Sequence, residues 1–252
     1  MSGLISGDAI VVTGAAHGIG KAIALDLARR GFNLAVWDID DASCSQTAAA
    51  CRDLDVEAIH ARVDMSKPEE VGAAAQAALA RFTAVPGLVN NAGIFPRASI
   101  LESTPQLWLN VLSVNLLGNV YAAQALVPNM IGNKRGAIVN VASGRALQGT
   151  PRGAHYAASK AGIVSFTKSL ALEVAGEGIR VNCLIPGVTE TAQPLADRTL
   201  EQLQEAALRQ NPMRRLGQPE DLTGAVHFML SGDAAFMTGQ SIAINGGMIM
   251  LP

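Results

Sequence analysis

AIVVTGAAHGIG, residues 9–20, is the stretch that decides the fold. Its first five residues are apolar or β-branched, as in a buried strand, and three glycines follow where the chain would turn into a helix. Glycine lets the backbone come close to a ligand, and the free N–H groups of a helix N-terminus bind a pyrophosphate. The stretch therefore predicts a strand, a turn and a helix that together hold a dinucleotide. These glycines alone leave open a tight turn that binds nothing.

The rest of the chain repeats this alternation of short apolar runs and longer helical patterns, which is typical of βαβ units. The predicted strands lie near residues 9–13, 33–38, 57–63, 87–90, 137–142, 180–185 and 241–244. Helices are predicted to begin near Ile19, Ala42, Pro68, Pro105, Tyr156, Leu200 and Pro219. We therefore expect an α/β fold: a doubly wound, Rossmann-like, seven-stranded parallel sheet with helices on both faces, and a single domain over residues 1–252.

Composition narrows the class of partner. The formal net charge is −2 and no basic run is present, which argues against nucleic acid or an anionic membrane and favours a small molecule. The three cysteines are widely spaced and predict neither a disulfide nor a metal site. The residues before Lys21 lack the layout of a signal peptide, so we expect a cytoplasmic protein.

Residues 103–133 carry no charge, yet five Asn, two Gln and two Pro interrupt them. Those polar residues argue against a membrane span and favour a helix that is covered on all sides. A helix at the surface of a monomer has no such cover. We therefore expect a homo-oligomer, in particular a tetramer.

Two carboxylates follow predicted strands at the edge where ligands bind. Asp38 comes about 20 residues after the glycine turn, where it would accept hydrogen bonds from the adenosine ribose and repel a 2′-phosphate. Since no Arg or Lys flanks Asp38 and His17 is mostly neutral at physiological pH, the pattern favours NAD over NADP. Asp64 would meet the adenine or cap the helix that begins at Pro68.

Ser143, Tyr156 and Lys160 are the candidates for proton chemistry. Tyr156 and Lys160 are four residues apart and share one helix face, so the ammonium would lower the pKa of the phenol. Ser143 lies beyond the fifth strand, where its hydroxyl would bond the substrate oxygen. Taken separately, each also fits a surface pair or a turn residue.

Together, the glycine turn, Asn90-Asn91-Ala92-Gly93, Tyr156-x-x-x-Lys160 and the serine thirteen residues before the tyrosine resemble the single-domain type of the short-chain dehydrogenase/reductase family. The resemblance covers essentially the whole chain. It implies that Tyr156 is the general acid or base, that Lys160 lowers its pKa and bonds the nicotinamide ribose, and that Ser143 polarises the substrate oxygen. It also implies that Asn115 holds a water in a proton relay.

The resemblance extends to the cofactor and to the end of the chain. The implied cofactor contacts are Gly14, His17, Gly18, Ile19, Gly20, Asp38, Asp64, Met65, Asn91, Gly93, Tyr156, Lys160, Pro186, Gly187, Thr189 and Thr191. Residues 191–217 correspond to a substrate lid. Asn245 stands where the family commonly has Asp, which affects local turn bonding. The apolar ending, residues 248–252, is similar to that of secondary-alcohol dehydrogenases, and we expect it to pack over a neighbouring subunit's pocket.

The expected activity is NAD-dependent interconversion of a secondary alcohol and a ketone. The predicted substrate pocket comprises Phe95, Arg97, Arg145, Leu147, His155, Gln193 and Met213. This mixture fits an aromatic or alicyclic alcohol, or a polar polyol or oxo acid that Arg145 would bind unless it forms a surface salt bridge. The alternatives are an NADPH-dependent 3-oxoacyl carrier-protein reductase, a polyol or sugar dehydrogenase, and a nucleotide-sensing regulator without catalysis.

Overall fold

The described part of the chain, residues 3–191 and 199–250 of a computed structural model, contains seven parallel strands in one sheet. The strands are β1 (Ala9–Thr13), β2 (Asn33–Asp38), β3 (Ala58–Arg62), β4 (Gly87–Asn90), β5 (Gly136–Val141), β6 (Ile179–Pro186) and β7 (Ser241–Ile244). Their order across the sheet is β3-β2-β1-β4-β5-β6-β7, so the chain starts in the middle, runs to one edge and then crosses to the other half. The predicted fold class is confirmed.

Helices connect the strands and cover both faces of the sheet. They are α1 (Gly18–Arg29), α2 (Asp41–Arg52), α3 (Pro68–Phe82), α4 (Pro105–Leu112), α5 (Gly118–Gly132), α6 (Arg145–Gln148), α7 (Ala154–Val174), α8 (Leu200–Gln210) and α9 (Glu220–Leu230). Alternate residues of β1 enter opposite cores: Ile10 and Val12 pack on the side of α1 and α9, and Val11 packs on the side of α3 and α5. A strand buried on both faces explains why the sequence shows an apolar run without polar alternation.

The uncharged segment departs from a single continuous helix. A π-helical turn, Ser113–Leu117, separates α4 from α5 and contains the buried Asn115. The combined helix from residue 105 to 132 is long and apolar enough to cross a membrane by length and composition, and 39% of its most apolar window is buried. Its inner side packs on the sheet, whereas Leu109, Leu117 and Ile131 are exposed. The expected cover on all sides is therefore absent from the described part of a single chain.

The chain before and after the segment predicted to be a lid, residues 191–217, is held together by backbone pairing. A parallel bridge pairs Thr189 with Gly217, and the Glu190 amide donates to the Gly217 carbonyl at 2.9 Å. Between these ends the structure describes residues 199–217, including α8, which begins with a capping box at Thr199. The role of a lid stays a prediction.

Arg180 is a buried cation that stabilises the end of α9. Its guanidinium donates to the carbonyls of Met229, Leu230 and Ser231 at 2.6, 3.0 and 3.0 Å, where α9 ends. Terminal helix carbonyls lack partners within the helix, and a buried acceptor without a donor is costly. Arg180 therefore fixes the end of α9 against β6.

We predict that Arg180→Met lowers the free energy of unfolding by about 3 kcal/mol, because it leaves buried carbonyls without donors. Urea denaturation at fixed protein concentration measures the change. Arg81→Met is the matched control, because Arg81 is half exposed and pairs with Glu57 at the surface. A loss for Arg180→Met as small as that of the control would contradict this role.

Candidate active site

A cavity of about 410 Å³ opens at the carboxyl ends of the strands, on both sides of the point where the strand order reverses. Its size falls within the range of small-molecule pockets. The wall contains every predicted cofactor contact except Gly20, together with Ser143, Phe95, Arg97 and Arg145. The topology thus gathers residues that follow all seven strands, together with residues of α7, into one surface.

The glycine turn fits the approach of a dinucleotide. Gly14 and Gly18 have φ of +66° and +50°, a region that residues with a side chain rarely adopt. A Cβ on Gly18 would stand 3.0 Å from Thr191 Cγ2, across the cavity wall. The first turn of α1 is Gly18-Ile19-Gly20-Lys21. Gly18 and Ile19 line the cavity, and no acidic residue lies on that turn to disfavour an anion.

Gly20 has a different role from the one predicted. A Cβ there would lie 2.0 Å from the Gly14 carbonyl oxygen and 2.5 Å from Asn91 Nδ2. Asn91 Nδ2 itself donates to the Thr13 and Gly14 carbonyls at 3.0 and 3.1 Å. Gly20 therefore lets α1 pack closely against the glycine turn. It does not line the cavity, but this packing fixes the position of Gly14, which does.

The acidic groups of the cavity are anchored by the backbone. Asp38 accepts hydrogen bonds from the amides of Ala16 at 2.9 Å and Asp40 at 3.0 Å, which fixes its carboxylate beside the glycine turn. His17 Nε2 lies 2.8 Å from Asp40 Oδ2. Hydrogen bonds from Ser43 and His17 lower the pKa of Asp40 to about 2. His17 therefore faces a carboxylate at the edge of the cavity.

Asp64 and Met65 also lie in the wall. Asp64 Oδ1 accepts from the Ser66 amide at 2.9 Å and from Ser66 Oγ at 2.7 Å. Burial raises the pKa of Asp64, but these bonds and nearby cations outweigh it and the net shift is downward. Asp64 thus organises the turn before α3 and presents its carboxylate to the cavity at the same time.

Tyr156 and Lys160 lie on one face of α7, and both are almost completely buried. Lys160 Nζ donates to the Val141 carbonyl at 2.9 Å and lies 5.8 Å from the centroid of the Tyr156 ring. Burial lowers the pKa of Lys160 to about 8, because the charged ammonium is disfavoured away from water. The Lys160 ammonium therefore loses its proton more readily than an exposed lysine would.

The balance of charges at Tyr156 differs from the sequence prediction. Burial raises the pKa of the phenol above its ordinary value, and three groups oppose that rise: a hydrogen bond with Ser143 and the positive charges of Arg145 and Arg97. The prediction assigned the lowering to Lys160. In this structure Ser143 and the two arginines supply it, and burial outweighs them.

Asn115 lies behind the wall. Its Oδ1 accepts from the Ile94 amide at 2.8 Å, and its Nδ2 donates to the Ile94 carbonyl and to Ser159 Oγ, each at 3.0 Å. A Cβ on Gly93 would be 3.3 Å from Asn115 Oδ1 and 3.4 Å from Lys160 Nζ, so the two polar groups flank one small space. The relay through a water at this place stays a prediction.

The predicted substrate residues divide into two groups. Phe95, Arg97 and Arg145 line the cavity. Leu147 and Met213 are exposed outside its described wall, and His155 is buried with Nε2 2.8 Å from the Pro96 carbonyl oxygen. These three placements correct the prediction, and Gln193 lies outside the described residues.

Gln148, Leu203, Met248 and Ile249 are among the wall residues that the sequence analysis did not assign to this cavity. Asn245 Nδ2 donates to the Ile249 carbonyl at 2.9 Å and Asn245 Oδ1 accepts from the Gly247 amide at 3.0 Å, so the turn bonding is intact with Asn at this position. Met248 and Ile249 therefore line the cavity of their own chain, and packing of this ending over a neighbouring subunit's pocket stays a prediction. The amide donor at Asn245 was the available signal, since Asp cannot donate this bond.

Comparisons with known proteins agree with this geometry. Residues 14–249 match the family model described as enoyl-(acyl carrier protein) reductase. The chain is 35% identical over 250 residues to 3-oxoacyl-(acyl-carrier-protein) reductase of Chlamydia trachomatis, covering 98% of this chain and 100% of that protein. It is 36% identical to 2-(S)-hydroxypropyl-CoM dehydrogenase 3 of Xanthobacter autotrophicus, covering 98% and 99%. A Sinorhizobium meliloti structure described as a short-chain alcohol dehydrogenase superposes with a TM-score of 0.93, at 34% identity and 97% coverage of both chains.

We predict that Ser143→Ala lowers kcat about 100-fold, because it removes a hydrogen bond that stabilises the phenolate and a donor for the substrate oxygen. It also shifts the pH at which alcohol oxidation reaches half its maximum upward, since the pKa of Tyr156 then rises further. Steady-state rates of alcohol oxidation across pH measure both effects. Ser6→Ala, at an exposed serine outside the cavity, is the control. An unchanged pH profile in Ser143→Ala would count against the coupling to Tyr156.

Proposed function

Because the chain belongs to the short-chain dehydrogenase/reductase family, we propose that it interconverts a secondary alcohol and a ketone and prefers NAD as its cofactor. Members of this family are oxidoreductases that act on CH–OH groups with a nicotinamide dinucleotide. The observation that carries the proposal is that Ser143, Tyr156 and Lys160 share one cavity with the glycine turn. A proton-transfer group and a dinucleotide cradle are thus within one continuous space.

Each residue of the candidate site has a separate role in the proposed reaction. When bound, the nicotinamide accepts or supplies the hydride. In oxidation Tyr156 takes the hydroxyl proton, and in reduction it returns one to the carbonyl oxygen. Ser143 donates a hydrogen bond to the same oxygen as charge develops there, and Lys160, which lies in the cavity wall, would bond the nicotinamide ribose. The apolar wall around Phe95 and Ile249 excludes water from the reacting carbon.

The preference for NAD rests on Asp38. Two backbone amides hold its carboxylate at the cavity edge, so it cannot easily turn away from an incoming 2′-phosphate. In the described cavity wall, the basic residue at this edge is His17, whose Nε2 lies 2.8 Å from Asp40 Oδ2. Like-charge contact disfavours NADP and hydrogen bonds to two ribose hydroxyls favour NAD.

We predict that Asp38→Asn lowers the ratio of kcat/KM for NADH to that for NADPH by about tenfold, because the amide no longer repels a phosphate. Parallel assays with the two cofactors and one ketone give the ratio. Asp53→Asn, at an exposed carboxylate after α2, is the matched control. If the unmodified protein already preferred NADPH, the assignment of NAD would be refuted.

The named relatives support a ketone or secondary alcohol as the reacting centre. One name specifies a 3-oxoacyl group and another a 2-hydroxypropyl group, and these share a carbonyl or carbinol carbon flanked by two carbons. Reduction of a 3-oxoacyl group on a carrier is the second candidate, favoured by three of the relatives with the strongest matches. A 3-oxoacyl N-acetylcysteamine thioester tests that candidate directly, beside simple ketones.

We predict that Tyr156→Phe abolishes ketone reduction, with a loss of at least about 1,000-fold in kcat, while dinucleotide affinity stays within a few-fold. The phenol is the proton carrier, whereas the glycine turn is unaffected. Turnover is followed by NADH absorbance and binding by quenching of protein fluorescence. Tyr121→Phe is the matched control, because Tyr121 is a partly buried residue of α5 that packs against the core outside the described cavity wall. Full turnover by Tyr156→Phe would show that another group moves the proton.

We also propose a homo-oligomer, a tetramer in particular, located in the cytoplasm. The support for assembly is the exposed apolar side chains on the uncharged helix together with Leu172 and Phe236. The support for the location is that Cys44, Cys51 and Cys183 are free and buried, which suits a reducing compartment.

A further inference from the structure

The ring of Tyr156 is covered by a second aromatic ring from a different segment. Phe95 lies in the loop after β4, and its ring centroid is 4.0 Å from that of Tyr156, with the planes 14° from parallel. Stacked aromatic rings attract each other in addition to the apolar area that they bury. The hydroxyl of Tyr156 is hydrogen-bonded to Ser143. Phe95 therefore contacts the face of the phenol ring and leaves the hydroxyl to Ser143.

The backbone that carries Phe95 is held on both sides of this residue. Before it, Asn115 bonds the amide and the carbonyl of Ile94, at 2.8 and 3.0 Å. After it, the Pro96 carbonyl oxygen lies 2.8 Å from Nε2 of His155, which is buried in the first turn of α7. The loop is thus joined to α7 next to Phe95, and the position of the Phe95 ring follows from that connection.

The start of α7 leaves room for the Phe95 ring. Gly153 stands directly before the helix, three residues before Tyr156. A Cβ on Gly153 would lie 2.5 Å from Phe95 Cε2, 2.8 Å from Phe95 Cζ and 2.7 Å from Thr150 Cγ2, closer than such atoms approach without a bond. A side chain at position 153 would therefore push the Phe95 ring out of its place. The ring is confined by Gly153 and by the ring of Tyr156.

The direction of the Tyr156 hydroxyl matters because several segments act on it. Ser143 bonds it, and Arg145 and Arg97 act through their charge. Lys160 Nζ lies 5.8 Å from the ring centroid. The helix fixes the Cα of Tyr156, but rotation about the side-chain torsions would move the hydroxyl away from these groups. Since a displacement of about 1 Å can lower a rate about 100-fold, a surface that fixes the ring supports proton transfer.

We propose that Phe95 is a positioning residue for proton transfer: its ring holds the ring of Tyr156 so that the hydroxyl stays bonded to Ser143. The inference rests on the proposed function and adds a residue to its machinery. The Phe95 side chain has no polar atom, so it acts on the proton only through Tyr156. Leucine at position 95 keeps apolar cover over the site but lacks the flat face and the ε and ζ carbons of phenylalanine.

The first test is kinetic, with the secondary alcohol that turns over fastest in a panel. Phe95→Leu should lower kcat about tenfold and leave KM for the alcohol within about threefold. The pH at which oxidation is half-maximal should move upward, because a loosened phenol bonds Ser143 less often and oxidation needs the phenolate. Phe166→Leu is the matched control, since Phe166 also lies on α7 and packs against the core outside the described cavity wall.

A second variant leaves Phe95 in the chain. Gly153→Ala should lower kcat about as much as Phe95→Leu does, because the new Cβ displaces the Phe95 ring. In a Phe95→Leu background the same change should lower kcat less than about threefold, since leucine has no ε or ζ carbon for the new methyl group to meet. Additive losses would mean that the two residues act independently, and they would overturn a route through the stack.

A third measurement needs no substrate. The chain has two tyrosines, so tyrosine labelled with ¹³C in the ring gives two sets of NMR signals, and Tyr121→Phe assigns them. The ring current of a stacked Phe95 moves the ring protons of Tyr156 upfield, and both Phe95→Leu and Gly153→Ala should remove that shift.

Tyr156 signals that do not move in either variant would overturn the proposal. So would an effect of Phe95→Leu on KM alone, with kcat and the pH profile unchanged, because Phe95 would then contact only the substrate. If the unmodified protein turned over no secondary alcohol and no ketone with either cofactor, the proposed function itself would fail. The NMR signals distinguish that result, because they report the stack without turnover.

Discussion

Burial of a phenol and an ammonium in the wall of one cavity is the constraint on which the rest of the site depends. Removal from water disfavours charge on both, so it raises the pKa of Tyr156 and lowers that of Lys160 to about 8. At neutral pH burial therefore favours the neutral form of each group, the phenol over the phenolate and the amine over the ammonium. Neighbouring charges and hydrogen bonds then decide where the proton resides, which is the condition a proton-transfer site requires.

The scaffold supports these groups with rigid elements. β5 provides the Val141 carbonyl that accepts from Lys160, and two residues later the chain presents Ser143. α7 carries Tyr156 and Lys160 one turn apart, and Asn115 joins this helix to the loop after β4 through Ser159 and Ile94. Asn115 lies in a π-helical turn. Such a turn rotates the helix face, which directs the Asn115 amide toward that loop. Catalytic geometry is thus set by strands and helices, and substrate contacts are left to the shorter connections.

Much of this was predictable from sequence and some of it was not. The sheet and its strands followed from periodicity, and the place of Ser143 followed from the rule that ligands bind at the carboxyl ends of parallel strands. The joining of Ser143, Tyr156 and Lys160 into one site followed from the resemblance to the family. Which residues line the substrate part of the cavity depends on the direction in which each side chain leaves its helix, and this direction was not predictable from the sequence. His155 precedes Tyr156 on α7 and points about 100° away, into a bond with Pro96, and the single turn of α6 directs Arg145 and Gln148 inward and Leu147 outward. The charges that act on Tyr156 come from Arg97 and Arg145, which are 48 positions apart and meet only in the folded chain.

The measurement that tests the central claim most directly follows both hydrogens in one turnover. NADH dideuterated at C4 is used to reduce a ketone in ordinary water, and the product alcohol is examined by mass spectrometry and proton NMR. If the cavity brings the cofactor and Tyr156 to the same carbonyl, the product carries one deuterium on the carbinol carbon, and its hydroxyl proton comes from the protein and solvent. A carbinol hydrogen drawn from water would contradict the account.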